Sequence, residues 1–411
     1  MKHQPVPAAH VAEHDEKYGK KAVFAAALGY GLDGFDLLIL SFALSGIMAT
    51  FNIEKTQAGW LTTITLFGAV LGGLLFGVLS DRFGRVKTLT WSVVVFALFT
   101  GLCALAWDFW SLAAFRFIAG IGIGGEFGIG MTLAAEAVAA HKRARATSWV
   151  AVGFQVGVLC AALASAPIIN TWGWRGLFVV GAFPAIIAAF FRHGVAEPTK
   201  FVDAKADGDL EKKNSMSQLF RDGRTSRITI VLIIMATIQN FGYFGIIAWL
   251  PNYLSNELNL GLNKGAVWTA VTVTGMMVGI ILFGQLCDRI GRRYSFWIYQ
   301  IGAAVSVLIY SQLTDPNLLL IGGFVMGAFA NGMLGGLGAL MAEHYPTEAR
   351  ATAQNVIFNI GRGFGGFAPV VIAYLATNGG FAYALGLLPI IYVIQFIAVS
   401  TLPERKGKEL E

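Results

Sequence analysis

Read for polarity alone, the chain is a succession of apolar runs of about 20 residues, separated by short polar or charged segments. That length is what an α-helix needs to cross the roughly 30 Å hydrocarbon layer of a bilayer. Twelve such helices are predicted, over 22–51, 57–79, 88–107, 110–140, 146–169, 175–192, 228–255, 265–286, 295–313, 317–343, 350–376 and 380–402. They divide the chain into a polar tail (1–21), a six-helix half (22–192), a charged linker (193–227), a second six-helix half (228–402) and a short tail (403–411). The fold class expected is therefore an all-α integral membrane protein, because backbone in lipid must satisfy its own hydrogen bonds. The polar tail runs into a full-length span, so no cleavable signal peptide is expected.

The two halves repeat. GVLSDRFGR at 77–85 recurs as GQLCDRIGR at 284–292, an offset of 207. Glu136, ahead of the basic turn Lys142, Arg143 and Arg145, corresponds to Glu343 ahead of Arg350, and Glu197 corresponds to Glu404, at the same offset. An even number of helices per half makes the repeats parallel, the layout of a rocking carrier whose site lies between its halves. The same offset sets Asp33 opposite Asn240, Asp36 opposite Tyr243, Glu126 opposite Met333 and Arg116 opposite Gly323. Charges in the turns are thus duplicated and charges within the spans are not. Duplicated groups read as shared machinery, unduplicated ones as substrate or ion chemistry.

Composition narrows the class further. Of 411 residues, 56% are hydrophobic and 13% charged, against about 25% charged in soluble domains, and the mean hydropathy is +0.64. The linker is too short for a catalytic domain or an ATP-driven motor, and neither a phosphate-cradling GxxxxGK[ST] run nor a Cys/His metal cluster occurs. Neither an enzyme activity nor a metal or organic cofactor is expected; protons would be the coupling ion. The net charge of +6 reports topology and not a nucleic-acid partner. On the predicted spans 25 of 30 Lys and Arg fall on one side, with Lys55, Arg175 and Lys264 on the other and Arg116 and Arg362 within spans. Basic residues gather on the cytoplasmic side, so both termini are expected there. Cys103, Cys160 and Cys287 sit in apolar surroundings without pairing or ligand spacing, and no disulfide is expected.

An ionisable group inside a span is costly and is a functional candidate by default. Asp33 and Asp36 fall near the middle of the first span, on one helix face. Two close carboxylates resist double ionisation, which favours exchange of a proton with the aqueous phase; alternatively both are satisfied by capping or interhelical hydrogen bonds at Gly34. Arg362, flanked by Gly361 and Gly363, offers a planar fork to a substrate carboxylate, or a fixed ion pair to Asp33 or Asp36. Arg116, a turn or two inside its span, is either a gate or anion-attracting group, or a side chain snorkelling to the interface. Glu126, in Gly124-Gly125-Glu126-Phe127-Gly128, is a further proton-coupling candidate. Gln239, Asn240, Tyr243 and Trp249 are candidate substrate contacts, with Phe35, Phe154 and Phe358 weaker ones. Asp81, Arg85, Glu136 and Arg145, with Asp288, Arg292, Glu343 and Arg350, are candidate gating charges that latch helix ends. His141 and His344 read as interfacial.

The duplicated G-x3-D-R-x-G-R turns and twelve-helix layout resemble the major facilitator superfamily over essentially the whole chain. Within it, Asp33-Gly34-Phe35-Asp36 resembles the D-G-x-D motif of the aromatic acid:proton symporters. The pairing of Arg116 with Glu136, the run Tyr345-Pro346-Thr347-Glu348-Ala349-Arg350, and Gly361-Arg362 before Pro369 are similar to that group too. The resemblance implies proton-coupled import of a benzoate-like acid such as a hydroxybenzoate across the bacterial inner membrane, with Asp33, Asp36, Arg116 and Glu136 required and Arg362 near the substrate. The Gly124–Gly128 segment is instead similar to the sialate and lactate proton symporters, so sialate, lactate or another small organic acid is the alternative cargo, and an anion exchanger or efflux carrier the alternative mode. The partners expected are a small organic anion, protons and the lipid bilayer. A monomer is expected, since the site lies between the halves of one chain.

Overall fold

The structure, a computed structural model, is described for residues 8–53, 55–192, 197, 215–247, 250, 254 and 261–406. The first half contains α1 (Ala8–Phe51), α2 (Lys55–Phe83), α3 (Arg85–Cys103), α4 (Phe109–Glu136), a 3-10 turn (Ala140–Lys142) and α5 (Arg143–Arg192). The second contains α6 (Gly223–Ile247), α7 (Gly261–Ile290), α8 (Arg292–Tyr310), α9 (Pro316–Gly332), α10 (Leu334–Ala342), α11 (Arg350–Gly365), α12 (Ala368–Leu387) and α13 (Pro389–Ser400). Most of the linker lies outside the described residues; its described end forms one helical turn, Ser215–Gln218.

Ten helical stretches among the described residues are long and apolar enough to cross a membrane. The part of α5 beyond Gly173 and the 19-residue α8 stand where the other two passes are expected. The exposed surface carries large apolar side chains such as Phe67, Leu163 and Ile321, as a lipid-facing wall requires. The predicted boundaries agree with the backbone. Gly173 (φ 66°) and Gly380 (φ 79°) leave helical geometry between the spans predicted to end at 169 and 376 and to begin at 175 and 380, so α5 and α12 each join parts of two passes across a kink. The span predicted over 317–343 is one apolar stretch, Pro316–Ala342, with α9 and α10 meeting at Met333, which keeps helical φ and ψ.

The offset of 207 reaches into the backbone. The positive-φ glycines are Gly84, Gly173, Gly291 and Gly380, two pairs at that spacing. Asp108 caps α4 by accepting from the Ser111 N–H, and its counterpart Asp315 caps α9 from Asn317 and Leu318. The small residues at 68 and 72 let α2 lie directly on the Phe117 and Ile121 carbonyls of α4; Gly275 and Gly279 do the same for α7 on Phe324 and Ala328. Close backbone approach through small residues is how helices associate where lipid removes the hydrophobic driving force. Between the halves, α2 packs on α11, α5 on α7 and α10, and α4 on α11.

Gly84 and Gly173 separate two costs. Both have positive φ, but a Cβ at Gly84 would strike the Glu197 carboxylate, whereas Gly173 faces open space. Gly173→Ala should cost about 1 kcal/mol from backbone strain alone. Gly84→Ala should cost more, by about 1 kcal/mol, because Glu197 caps α3 through the Arg85 and Lys87 N–H groups. Thermal unfolding of the two purified variants checks the order; equal losses would contradict it.

Candidate functional site

The charges near the middle of the bundle are paired one to one. Positions 33 and 36 are three residues apart on α1, so their side chains diverge by about 60° and meet different neighbours. Asp33 turns to the second half, where Arg362 of α11 grips it with two bonds, Nη1 to Oδ2 at 2.9 Å and Nη2 to Oδ1 at 3.0 Å. Asp36 turns inward to its own half, where Arg116 of α4 holds it at 2.9 and 2.6 Å. The Thr100 hydroxyl donates to Asp36 at 3.2 Å, and Arg116 Nε donates to the Thr65 hydroxyl at 3.2 Å. Asp33, Asp36, Arg116 and Arg362 are each at most 4% exposed.

Two expectations change accordingly. Arg116 does not snorkel: α1 and α2 cover it, and the carboxylate of Asp36 compensates its charge. Nor do the aspartates form a mutual pair, since each has its own guanidinium. Gly34 makes this possible, because a side chain there would strike the Phe154 carbonyl; its absence lets α1 lie against α5 with both carboxylates pointing away.

Arg362 lines a narrow cleft between the halves, whose free volume of about 20 Å³ has room for about one water. Tyr30, Phe154, Tyr243, Phe244 and Phe358 form its aromatic wall, and Gln155, Gln239, Asn240 and Asn331 its polar part. Phe358 stacks on Phe127 of the other half with centroids 3.4 Å apart, and Tyr30 packs 4.9 Å from Phe154. Asn240 Nδ2 donates to the Ala236 carbonyl. Phe35 packs in an apolar cluster with Ile39 and Phe178 and is not part of the cleft wall. Trp249 lies outside the described residues. Glu126 faces α3, where the Ser92 hydroxyl is 3.0 Å away, so it is not brought into the cleft.

Asparagines on α11 clamp α4 beside Glu126. The amide of Asn359 donates to the Gly124 carbonyl at 2.9 Å, and the Asn355 amide oxygen accepts from the Gly128 N–H at 3.0 Å. Gly124 and Gly128 are one helical hydrogen-bond step apart, and each also has a side-chain partner from the opposite half.

At one end of the bundle the repeated turns build two related ion networks. Asp81 accepts from the Ala351 and Thr352 N–H groups at 3.3 and 2.9 Å, capping α11 of the other half. Asp288 reciprocates on α5, accepting from Ala144 and Arg145 at 3.2 and 3.0 Å. Glu136 bonds Arg85 at 3.2 Å and contacts Arg350 directly. Glu343 bonds Arg292 at 2.6 Å and lies 3.8 Å from Arg143. Carboxylates at helix N-termini are favourable because the backbone N–H groups there lack intrahelical partners. Arg116 and Glu136 sit in separate networks, about 30 Å apart along α4. The side chain of Arg145 is exposed and only its backbone joins the latch; Arg143 faces Glu343 instead. The repeat held that signal, since 143 is 207 residues before 350. His344 is buried and not interfacial, with Nδ1 2.7 Å from the Leu340 carbonyl, and burial pushes its imidazole down to about 4.

Comparison with known proteins bears on the family and the fold. The family model described as the Major Facilitator Superfamily matches residues 26–277 and again 266–411. A chain of Haemophilus influenzae whose name assigns it only to metabolite transport is 54% identical, over 96% of this chain and 98% of that one. The cis,cis-muconate transport protein of Acinetobacter baylyi is 32% identical, over 91% of this chain and 94% of its own. The solved structure of the proton:xylose symporter XylE superposes with a TM-score of 0.81 at 20% identity, covering 96% of this chain and 98% of that one.

Exposed Arg145 and the buried latch carboxylate Glu136 should differ in their effect on stability. Glu136→Gln removes the charge between two buried guanidiniums and should cost about 3–5 kcal/mol. Arg145→Gln alters an exposed side chain and should stay within about 0.5 kcal/mol. Apparent melting temperatures in detergent test this; a loss for Arg145→Gln comparable with Glu136→Gln would contradict the assignment.

Proposed function

The chain belongs to the Major Facilitator Superfamily and is a secondary transporter of metabolites, and from that premise we propose that it imports an organic monocarboxylate together with protons. The observation that carries this reading is the Asp33–Arg362 pair, which joins the two halves beside the cleft. Arg362 reaches the cleft wall and Asp33 holds it from behind. A carboxylate entering the cleft competes for the same planar fork, since guanidinium recognises carboxylates bidentately. Once displaced, Asp33 is a lone buried carboxylate, which is cheaper to protonate than to leave ionised. The anion and the proton then enter together, and the net charge of the site is unchanged.

Asp36 and Arg116 supply a second exchangeable pair within the first half, where protonation of Asp36 would release Arg116. Glu126, placed against Ser92, is a reserve carboxyl on the same half. The aromatic wall favours a flat, unsaturated body such as a hydroxybenzoate, and the muconate relative is named for an organic acid. The positive-inside pattern supports an inner-membrane location with both termini and the latch in the cytoplasm. The engaged latch then corresponds to a carrier closed on that side. Opening requires the Asp81 and Asp288 caps to let go of α11 and α5.

Proteoliposomes with an inside-alkaline gradient test the proposal. Labelled 4-hydroxybenzoate, benzoate, nicotinate, muconate, sialate and lactate form the panel, with and without a protonophore. Accumulation of one acid that the protonophore abolishes is expected, and Asp33→Asn or Asp36→Asn should lower it at least about tenfold. Free exchange of preloaded acid with no response to the gradient would replace symport by antiport.

A further inference from the structure

Resting on the reading of Arg362 as the carboxylate anchor, we propose that Gln239 and Asn331 form a specificity couple that recognises a hydroxyl group on the transported acid. The two side chains come from α6 and α9, line the same cleft as Arg362, and are 2% and 1% exposed. Gln239 Nε2 donates to Asn331 Oδ1 at 3.0 Å and points at the Ala330 carbonyl at 3.4 Å. That leaves Gln239 Oε1 and Asn331 Nδ2 buried without a hydrogen-bond partner among the described residues.

The remaining pair of atoms is one acceptor and one donor, and this does not depend on how the amides are turned. A single N–H···O bond between two primary amides always leaves one carbonyl oxygen and one amino group facing outward. The Ala330 carbonyl selects the orientation in which Gln239 presents its oxygen and Asn331 its nitrogen. Buried polar groups are rarely left unpaired, because the desolvation cost is then not recovered. Unmatched amide atoms also occur away from the cleft, in the crosslinks of Gln354 and Asn355 to α4. In the Gln239–Asn331 couple both unmatched atoms belong to residues that line a cleft already containing a cationic anchor.

One oxygen can satisfy both atoms if it accepts from Asn331 Nδ2 and donates to Gln239 Oε1, which is the capacity of a hydroxyl. An ether or an ionised carboxylate only accepts and would set its lone pairs against Oε1. An ammonium only donates and would oppose Nδ2. An apolar edge would leave both atoms unsatisfied. The arrangement therefore selects a carboxylic acid carrying a hydroxyl, with Tyr30, Phe154 and Phe358 flanking the body between the two polar ends.

Binding to the purified full-length protein tests this without assuming which acid is carried. Affinities are compared for the three hydroxybenzoates, their methoxy counterparts and benzoate, for lactate against propionate, and for cis,cis-muconate. At least one hydroxy acid should bind about tenfold or more tightly than both its methoxy and unsubstituted analogues. In Gln239→Leu and Asn331→Leu that ratio should fall toward one. Equal affinities within every pair, binding of muconate alone, or a ratio that survives both variants would overturn the proposal. Failure of every acid to bind would instead overturn the carboxylate transport reading on which it rests. The ratios in the unaltered protein stand even where a variant fails to fold.

Discussion

A charged side chain deep in a bilayer has to be matched, and in this protein Asp33 and Arg362 match each other only while the two halves lie together. Removing one member of a buried ion pair typically costs about 3–5 kcal/mol, so the pair ties the position of α11 to that of α1. It also makes the tie exchangeable. In the proposed symport another carboxylate replaces Asp33 on the guanidinium as Asp33 gives up its charge, and the affinities for anion and proton are then linked, each favouring the other. The Asp36–Arg116 pair has the same chemistry but lies within one half, so it can respond to a proton without directly holding the halves together.

The periphery and the centre of the molecule obey different rules. Around the latch, symmetry is close: Asp81 with Asp288, Glu136 with Glu343 and Glu197 with Glu404 make corresponding contacts at one offset. At the centre it is broken, with Asp33 opposite Asn240 and Arg116 opposite Gly323. A carrier that must close at either end benefits from two similar hinged halves, whereas recognition of an asymmetric anion requires unlike walls. The asparagine clamp of Asn355 and Asn359 on α4 stands between the two regions and uses neutral hydrogen bonds.

Much of this was legible in the sequence because a bilayer makes charge conspicuous. Asp33, Asp36, Arg116 and Arg362 stand out in apolar runs, and the duplicated turns announce the latch. Partner choice was not legible: whether Arg362 meets Asp33 or Asp36 depends on the 60° divergence along α1 and on which helix covers each face. Arg143 and Arg145 lie in one basic turn, and only the offset of 207 to Arg350 singles out Arg143 as the latch residue. Gln239 is a candidate because it lies beside the position opposite Asp33, whereas Gln155 and Asn331 differ in another way. An amide carries no charge, and only the folded cleft brings these two to notice. The breaks at Gly173 and Gly380 fall where the hydropathy pattern separates neighbouring spans, between 169 and 175 and between 376 and 380.

The central claim is that anion binding and protonation of Asp33 are one linked event, and proton uptake on binding measures it directly. A transported acid is added to purified protein in weakly buffered detergent solution, and the protons taken from solution are counted per anion bound. The account predicts uptake of about one proton per anion, lost in Asp33→Asn. Saturable binding with no proton uptake, or uptake that persists unchanged in Asp33→Asn, would contradict it.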